Sequence, residues 1–448
     1  MDSWLAMNFK SSFWYATKLL NPPTEKKSTG RRSLLGAIFC IALSLVPLVV
    51  VQTVADGMIE GITARMVGLS SFHAAAYLSD SIEHISIESH IDRMTDVRDS
   101  VQKESAVSGA FIEVSGTALA AGKNGRSGAQ IRAVNNRLFT ENDSFRQYLE
   151  IIEGEAAFSK SNSAVIGKKI AEELGVHVGD YIRLIGAKTT VNGKIIPKVK
   201  TFEVSGIVSS GYEEIDALWV FVPLESGIEF LTGSRFNSKI GLETDDAFSK
   251  DFYKTVSNIN KLLKNNWVLF PWDQLNTSQY DNFSSTRILL LFIMFLILLV
   301  ATVNISSAIV MVVMERRSEI AILKSIGASN AGITTAFVLC GTFCGMGGVL
   351  IGLPLGLLCS VNVNEIFTFI EKIVNVCANF LYLLIGGTQY VPVELLNPAY
   401  YLESIPIYIP FKELLMVAFG TIFLSMIVSL IPSVKAGREK PLSIFRKM

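Results

Sequence analysis

Four stretches of this chain carry about 20 or more apolar residues almost without charge, and a run of that length matches the hydrocarbon core of a bilayer as a helix. They lie at residues 33–55, 288–314, 332–361 and 414–434. Half of the 448 residues are apolar, 18% are charged and mean hydropathy is +0.41, values foreign to an ordinary soluble enzyme. A fifth stretch, Ile373 to Ile385, has about 13 residues and holds Asn375 and Asn379. It suits an interfacial or a packed amphipathic helix better than a span.

Lysine and arginine in the short flanking segments set the orientation, because cytoplasmic segments carry the excess. Lys10, Lys18, Lys26, Lys27, Arg31 and Arg32 precede the first span, Arg316, Arg317 and Lys324 follow the second, and Lys435, Arg438, Lys440, Arg446 and Lys447 follow the fourth. Between the third and fourth spans the connection offers Lys372. Both termini are therefore expected in the cytoplasm, with residues 56 to about 285 outside. A fifth crossing would put the basic C-terminus on the wrong side. The first apolar run could also be read as a signal peptide ending at Thr53-Val54-Ala55. It is too long for that, and the 32 residues ahead of it exceed a typical n-region. Those 32 residues place Phe9, Phe13, Ala16 and Leu20 at helical spacing before Pro22-Pro23, which predicts an interfacial helix over an unstructured tail.

The expected layout is a tail at 1–32, a first span at 33–55, an outer α+β domain at 56–285 and a second span at 286–314. A cytoplasmic segment at 315–331, a third span at 332–361, an outer loop with a short helix at 362–411, a fourth span at 412–434 and a tail at 435–448 complete it. In the outer domain, Val107 to Val114 and Ser115 to Val134 around Gly122-Lys123-Asn124-Gly125 read as strands and a turn. Val165 to Leu174 reads as a short helix closed by Gly175, followed by strands at Tyr181–Ile185, Thr201–Val208 and Leu218–Val222. Residues 247–264 read as an amphipathic helix with Phe248, Phe252, Val256, Ile259 and Leu263 on one face and Asp246 as N-cap.

Catalytic patterns are missing from this reading. His73, His84, His90 and His177 lack metal-ligand spacing, and the cluster of Glu83, His84, Glu88 and His90 reads as a solvated polar face. The five cysteines leave residues 56–285 without one, which excludes a disulfide framework there. Gly116 to Lys123 has the wrong spacing for a phosphate loop, with Asn124 where a metal-binding hydroxyl should stand. Net charge is zero, so no basic field draws nucleic acid. An energy source is expected on another chain.

The second span runs straight into Met314-Glu315-Arg316-Arg317-Ser318-Glu319-Ile320-Ala321-Ile322-Leu323-Lys324-Ser325-Ile326-Gly327-Ala328-Ser329. Charges of both signs flank an apolar surface from Ile320, Ile322 and Leu323, a composition suited to a groove on a soluble partner; an ordinary positive-inside loop accounts for the basic residues but not for the apolar ones. The segment resembles the coupling helix of the MacB/FtsX/LolC-LolE superfamily of ABC permeases. Further matches lie in Phe13-Trp14-Tyr15-Ala16-Thr17-Lys18-Leu19-Leu20, Asp56-Gly57-Met58, Ala164 to Asp180, Trp272 with Asn276, Val300 to Ser307, and Leu430 to Ala436 with Pro441. They are most similar to the lipoprotein-releasing permeases; Val303 and Gly437 depart from that pattern.

The resemblance implies an α-helical membrane protein with four spans and a MacB-like periplasmic α+β domain between the first two. It also implies a permease, not an enzyme, that binds no cofactor of its own; ATP and Mg would sit on a cytoplasmic ABC ATPase dimer. Further partners would be a second permease subunit, membrane lipid, a lipoprotein substrate and a periplasmic lipoprotein carrier. Glu315, Arg316, Arg317, Glu319, Ile320, Ile322, Leu323, Lys324 and Gly327 would couple to the ATPase. Val50, Val51, Val54, Met58, Ile288, Phe292 and Phe295 would line an acyl cleft, although facing lipid or neighbouring helices explains each of them equally well. Lys188, Lys194, Pro197 and Lys198 would form a carrier-docking hook, for which a plain solvated hairpin is the alternative. The glycines at 341, 345, 348, 352 and 356 would let helices approach closely, Pro47 and Pro354 could kink their spans, and Asn304 would bond a neighbouring helix. An FtsX-like regulator of a cell-wall hydrolase and a MacB-like exporter are the competing functions.

Overall fold

The computed structural model describes residues 9–20, 29–78, 87–189, 195–234, 236–263, 267–384, 392 and 406–438. They group into two units, a helical one (Met1–Gly57, Ser284–Ile373, Pro406–Met448) and a sheet-centred one (Met58–Phe283, Val374–Ile405). Among the described residues four helices are long and apolar enough to cross a membrane: Thr29–Arg65, Thr277–Glu315, Asn330–Val361 and Phe411–Arg438. Each outlasts its apolar window because no breaker stands at the window's edge. Pro47, Pro354 and Pro432 all lie inside continuous helices.

The helical unit packs around the third span, which has a glycine face for each neighbour. A Cβ on Gly345 would come within 2.5 Å of Ser425 Oγ on the fourth span, and one on Gly352 within 2.8 Å of Leu45 Cβ on the first. Gly341 faces Ser429 in the same way, and Gly348 and Gly356 face Ile41 and Val49. The matching face of the fourth span is Thr421, Ser425, Ser429 and Ser433, all fully buried, each hydroxyl bonding back to its own helix. The small residues therefore serve close approach, the association mode open to helices that have no hydrophobic drive in lipid. The second span buries only a stripe through Met294, Leu298, Ala301, Ile305 and Ile309. Asn304 lies beside that stripe on the exposed side, not against a neighbour as expected.

The N-terminal helix, Phe9–Leu20, forms where the spacing placed it but presents a different face. Ser12, Ala16 and Leu19 are buried, while Phe13 and Trp14 are exposed. Ser12 Oγ donates to Gly332 O (3.1 Å), and Tyr15 and Phe13 meet Phe337 and Phe343 edge-on. The helix is thus packed on the third span through Ser12, Ala16 and Leu19, with Phe13 and Tyr15 meeting that span edge-on and Trp14 turned away.

In the sheet unit ten strands form one mixed sheet: β1 (Ala74–Leu78), β2 (Gly109–Ala121), β3 (Arg126–Val134), β4 (Glu150–Gly154), β5 (Ser163–Gly167), β6 (Tyr181–Thr189), β7 (Ile195–Ser209), β8 (Trp219–Pro223), β9 (Phe236–Glu243) and β10 (Trp267–Pro271). Their order is β10-β1-β9-β2-β3-β8-β5-β7-β4, with β6 pairing β2 and β7. The β3–β8 and β5–β7 pairs are parallel and the others antiparallel. The turn expected at 122–125 joins β2 to β3 in register Ala121↔Arg126. The helix expected from Val165 begins only at Lys168, because Val165 and Ile166 are fully buried in β5. Gly175 closes it in the left-handed conformation (φ +64°). The helix expected over 247–264 spans Phe252–Leu262; the Asp246 carboxylate caps Phe248 N (2.8 Å) in a preceding turn instead.

One buried cluster fixes the end of the first long helix. After Arg65 that helix continues as a π-helical turn, Met66–Ser71, and stops at Phe72, the one non-glycine residue with positive φ among those described. The Phe72 ring occupies the space where a Cβ on Gly241 would sit. The orphan carbonyls of the turn are met by two buried cations: Arg132 Nη1 donates to Leu69 O and Lys239 Nζ to Ser70 O, both at 2.7 Å. Glu113, 1% exposed, pairs with both cations, and Arg132 stacks among Trp219, Phe221 and Phe145. Burial alone would push the Glu113 carboxyl up, but the paired Arg132 and Lys239 outweigh it and hold it below the usual carboxylate range. His90, expected in a solvated cluster, is buried instead, with Nε2 2.9 Å from Ser238 Oγ. His84 and Glu83 lie outside the described residues.

Candidate coupling, cleft and hook sites

The cytoplasmic segment folds as a nine-residue helix, Arg317–Ser325, split from the second span at Arg316 and ended by Gly327 at φ +106°. That conformation, reached readily by glycine alone, turns the chain towards the third span, whose N-cap Ser329 accepts from Gly332 N (3.1 Å). The candidate residues divide by direction. Glu315 accepts from Gly30 N at the start of the first helix, where the dipole favours an anion. Lys324 Nζ donates to Gly437 O (2.7 Å) at the end of the fourth, where it favours a cation. Arg316 pairs with Glu319. Ile320 turns inward and is fully buried, Leu323 is half-buried, and Ile322 is exposed. Sequence reasoning missed Ile326, 75% exposed; its signal was an isoleucine beside a turn glycine, where no internal packing partner is at hand. Glu315 and Lys324 thus pin the short helix to its unit, and Ile322 and Ile326 are what it presents.

Of the cleft residues, Ile288, Phe292 and Phe295 are exposed along one face of the second span, Val51 is exposed, and Val50 and Val54 are half-buried. Met58 is buried within the sheet unit. The first and second spans are tied here by a pair the sequence reading passed over: Asp56, 1% exposed, receives Arg287 Nε and Nη2 at 2.9 and 2.7 Å, and Gln52 Nε2 as well. Val54 and Ile288 flank that clasp in sequence. A lone arginine heading an apolar window was its signal.

The hook segment is the β6–β7 hairpin, paired out to Thr189↔Ile195; Lys194 lies outside the described residues. Lys188 and Pro197 are exposed. Lys198 donates to Glu229 O and Lys200 pairs with the Glu229 carboxylate (2.6 Å). Burial, then repulsion from Lys188, lowers the Lys198 ammonium's affinity for its proton. Lys198, expected to face a partner, is thus engaged by the domain itself, as is the neighbouring Lys200, and among the described residues the exposed hairpin surface is largely apolar, through Tyr181, Ile196 and Val199. Among the described residues no group of histidine, cysteine and carboxylate side chains is placed to hold a metal.

This architecture, with an α+β sheet domain between the first two of four spans and a short charged helix after the second, defines a membrane permease. The family described as MacB-like periplasmic core domain matches residues 33–251, and that described as FtsX-like permease C-terminal matches 291–441. The chain belongs to the FtsX and MacB type of permeases. Among curated proteins it is similar to the lipoprotein-releasing system transmembrane protein LolC of Xylella fastidiosa, 24% identical over 92% of this chain and 93% of the relative. It is also similar to LolE of Haemophilus influenzae, 26% identical over 77% and 78%. A solved structure, the periplasmic region of MacB from Actinobacillus actinomycetemcomitans, aligns with 48% of this chain and 95% of its own at 11% identity and a TM-score of 0.30.

Proposed function

We propose that this chain is the permease subunit of an ABC complex that extracts lipoproteins from the inner membrane and hands them to a periplasmic carrier. The observation that carries this reading is likeness over nearly the full length, membrane helices and sheet domain together, to proteins named for lipoprotein release. ATP and Mg are bound and hydrolysed by a separate cytoplasmic ATPase dimer, which docks on Ile322 and Ile326 between Arg317 and the Arg316–Glu319 pair. Both termini and this short helix face the cytoplasm, and the sheet domain faces the periplasm. Acyl chains rest on the exposed face of Ile288, Phe292 and Phe295 near Val51, and the Asp56–Arg287 clasp holds the two spans at that level. The β6–β7 hairpin meets the carrier through Tyr181, Ile196 and Val199, with Lys188 as its charged contribution. Asn304 on the exposed side of the second span favours a second permease there, since an amide in hydrocarbon is stabilised by bonding across helices.

Depletion of the protein, followed by separation of inner and outer membranes and detection of acyl-labelled lipoproteins, tests the proposal. Mature lipoproteins retained in the inner membrane are the expected result; normal sorting with a division or wall defect would transfer the chain to the hydrolase-regulating reading.

A further inference from the structure

The connection between the third and fourth spans contains a helix longer than the sequence reading allowed. It runs Val363–Leu384, 22 residues, and begins two residues after the third span ends. The apolar run at 373–385 is only its second half; the first half keeps the same periodicity through Ile366, Phe369 and Ile370, which a search for unbroken apolar stretches passes over. At about 100° per residue, Asn364, Thr368, Glu371, Lys372, Asn375 and Asn379 gather into an arc of roughly 100°. The rest of the circumference is almost wholly apolar. Among the described residues nothing covers that face: Phe369 and Phe380 are each 65% exposed, Val376 70% and Ile373 47%.

We infer that this helix lies flat in the headgroup–acyl boundary of the bilayer, with lipid as the partner of its apolar face. Three observations favour lipid. The helix begins two residues after a span whose exposed side is apolar up to its end, through Leu350, Leu355, Leu358 and Val361, a surface suited to hydrocarbon. The two bulkiest residues, Phe369 and Phe380, stand on the same side three turns apart, the pattern of an in-plane anchor. The helix does not cross: a stripe of three asparagines and two charges would have to enter hydrocarbon, and the four spans already return the chain to its starting side. By the parity of the crossings the occupied leaflet is the one on the side where the first and second spans are connected. Glu365, Glu371 and Lys372 are the helix's only ionisable acid and base groups, so it is drawn by apolar insertion and not by anionic headgroups. The inference rests on the four spans and holds whatever the cargo.

The test uses the intact chain with Cys40, Cys340, Cys344 and Cys359 replaced by alanine, reconstituted in phosphatidylcholine vesicles. An environment-sensitive fluorophore is placed on native Cys377 and, in a background also carrying Cys377→Ala, on Thr368→Cys, Phe369→Cys, Lys372→Cys, Ile373→Cys, Asn379→Cys and Phe380→Cys. Lipids with shallow nitroxide quenchers should quench the probe at 369, 373, 377 and 380 at least threefold more than at 368, 372 and 379. Equal quenching on both faces, quenching chiefly by mid-bilayer nitroxides, or an apolar face shielded from every quencher would each overturn the inference, the last pointing to a protein cover. Should the cysteine-depleted protein not assemble, benzophenone residues at the same positions of the otherwise native chain give the same reading. Lipid adducts at 369, 373 and 380 are expected; adducts to a companion polypeptide contradict the assignment.

Discussion

Replacing Glu113 by glutamine tests whether the charge cluster beneath the first helix is structural in the way its geometry demands. The wild-type carboxylate is 1% exposed and serves two cations, Arg132 at 1% and Lys239 at 7%. Glu113→Gln keeps the shape and removes the carboxylate that pairs with both cations, leaving the two charges buried without it. Breaking a buried pair from one side costs about 3–5 kcal/mol, because the surviving charge has neither water nor partner. The comparison is Glu203→Gln, whose ion pair with Lys160 lies at the surface, where solvent screens it and its loss should leave the urea midpoint nearly unchanged. Urea titration of the full chain in detergent, with Trp4 and Trp14 replaced by phenylalanine in every variant, is followed by the emission of Trp219, Trp267 and Trp272, all in the sheet unit; Arg132 overlies Trp219 at 4.6 Å. The acid limb has a definite sign. Because the folded carboxyl titrates below its unfolded counterpart, its contribution is complete above the unfolded value, about pH 4.3, and is lost as pH falls through the folded one. Glu113→Gln should lack that limb. A cost below about 1 kcal/mol, or one abolished by 1 M salt, would refute the reasoning, since a buried pair is poorly screened.

Three further outcomes follow. Ile326→Asp should weaken binding of the ATPase partner by about 10- to 100-fold in pull-down or calorimetry, the value of one fully buried isoleucine, while leaving thermal unfolding unchanged. Gly352→Leu should lower stability in detergent by about 1–3 kcal/mol through forced separation of the first and third spans, whereas Gly420→Leu, where a Cβ meets nothing within 4 Å, should not. Burial depresses the proton affinity of His73, so the fold favours its neutral form; its contribution is full above about pH 6.5 and declines as pH falls below that. His73→Gln should flatten this part of the stability profile, measured by urea midpoints between pH 7 and pH 5.

Much of the architecture could be read from residues alone, because spans and β-hairpins announce themselves locally. The apolar windows, the turn at 122–125 and the stop at Gly175 depend on neighbours in sequence, and all three are where the reading put them. What stayed hidden depends on neighbours in space. Val165 and Ile166 have β-branched side chains next to a helical pattern, and only burial in β5 shows which prevails. Phe9, Phe13, Ala16 and Leu20 make a plausible helical face, yet close approach to the third span selected Ser12, Ala16 and Leu19. At the candidate coupling segment the residue types were legible and their directions were not: Glu315 and Lys324 are engaged by helix termini that lie far away in sequence. The candidate hook shows the same limit, since Lys198 reads as free charge until Glu229 is seen beside it.

The most direct test of the central claim is reconstitution. The chain, with its ATPase and companion permease, is placed in proteoliposomes bearing radiolabelled triacylated lipoprotein, and ATP and soluble carrier are added. The account predicts that label appears in the soluble carrier fraction only when ATP is hydrolysed, and that Ile326→Asp abolishes the transfer. Robust ATP hydrolysis with all label retained in the membrane, by a complex that instead activates a cell-wall hydrolase, would contradict it.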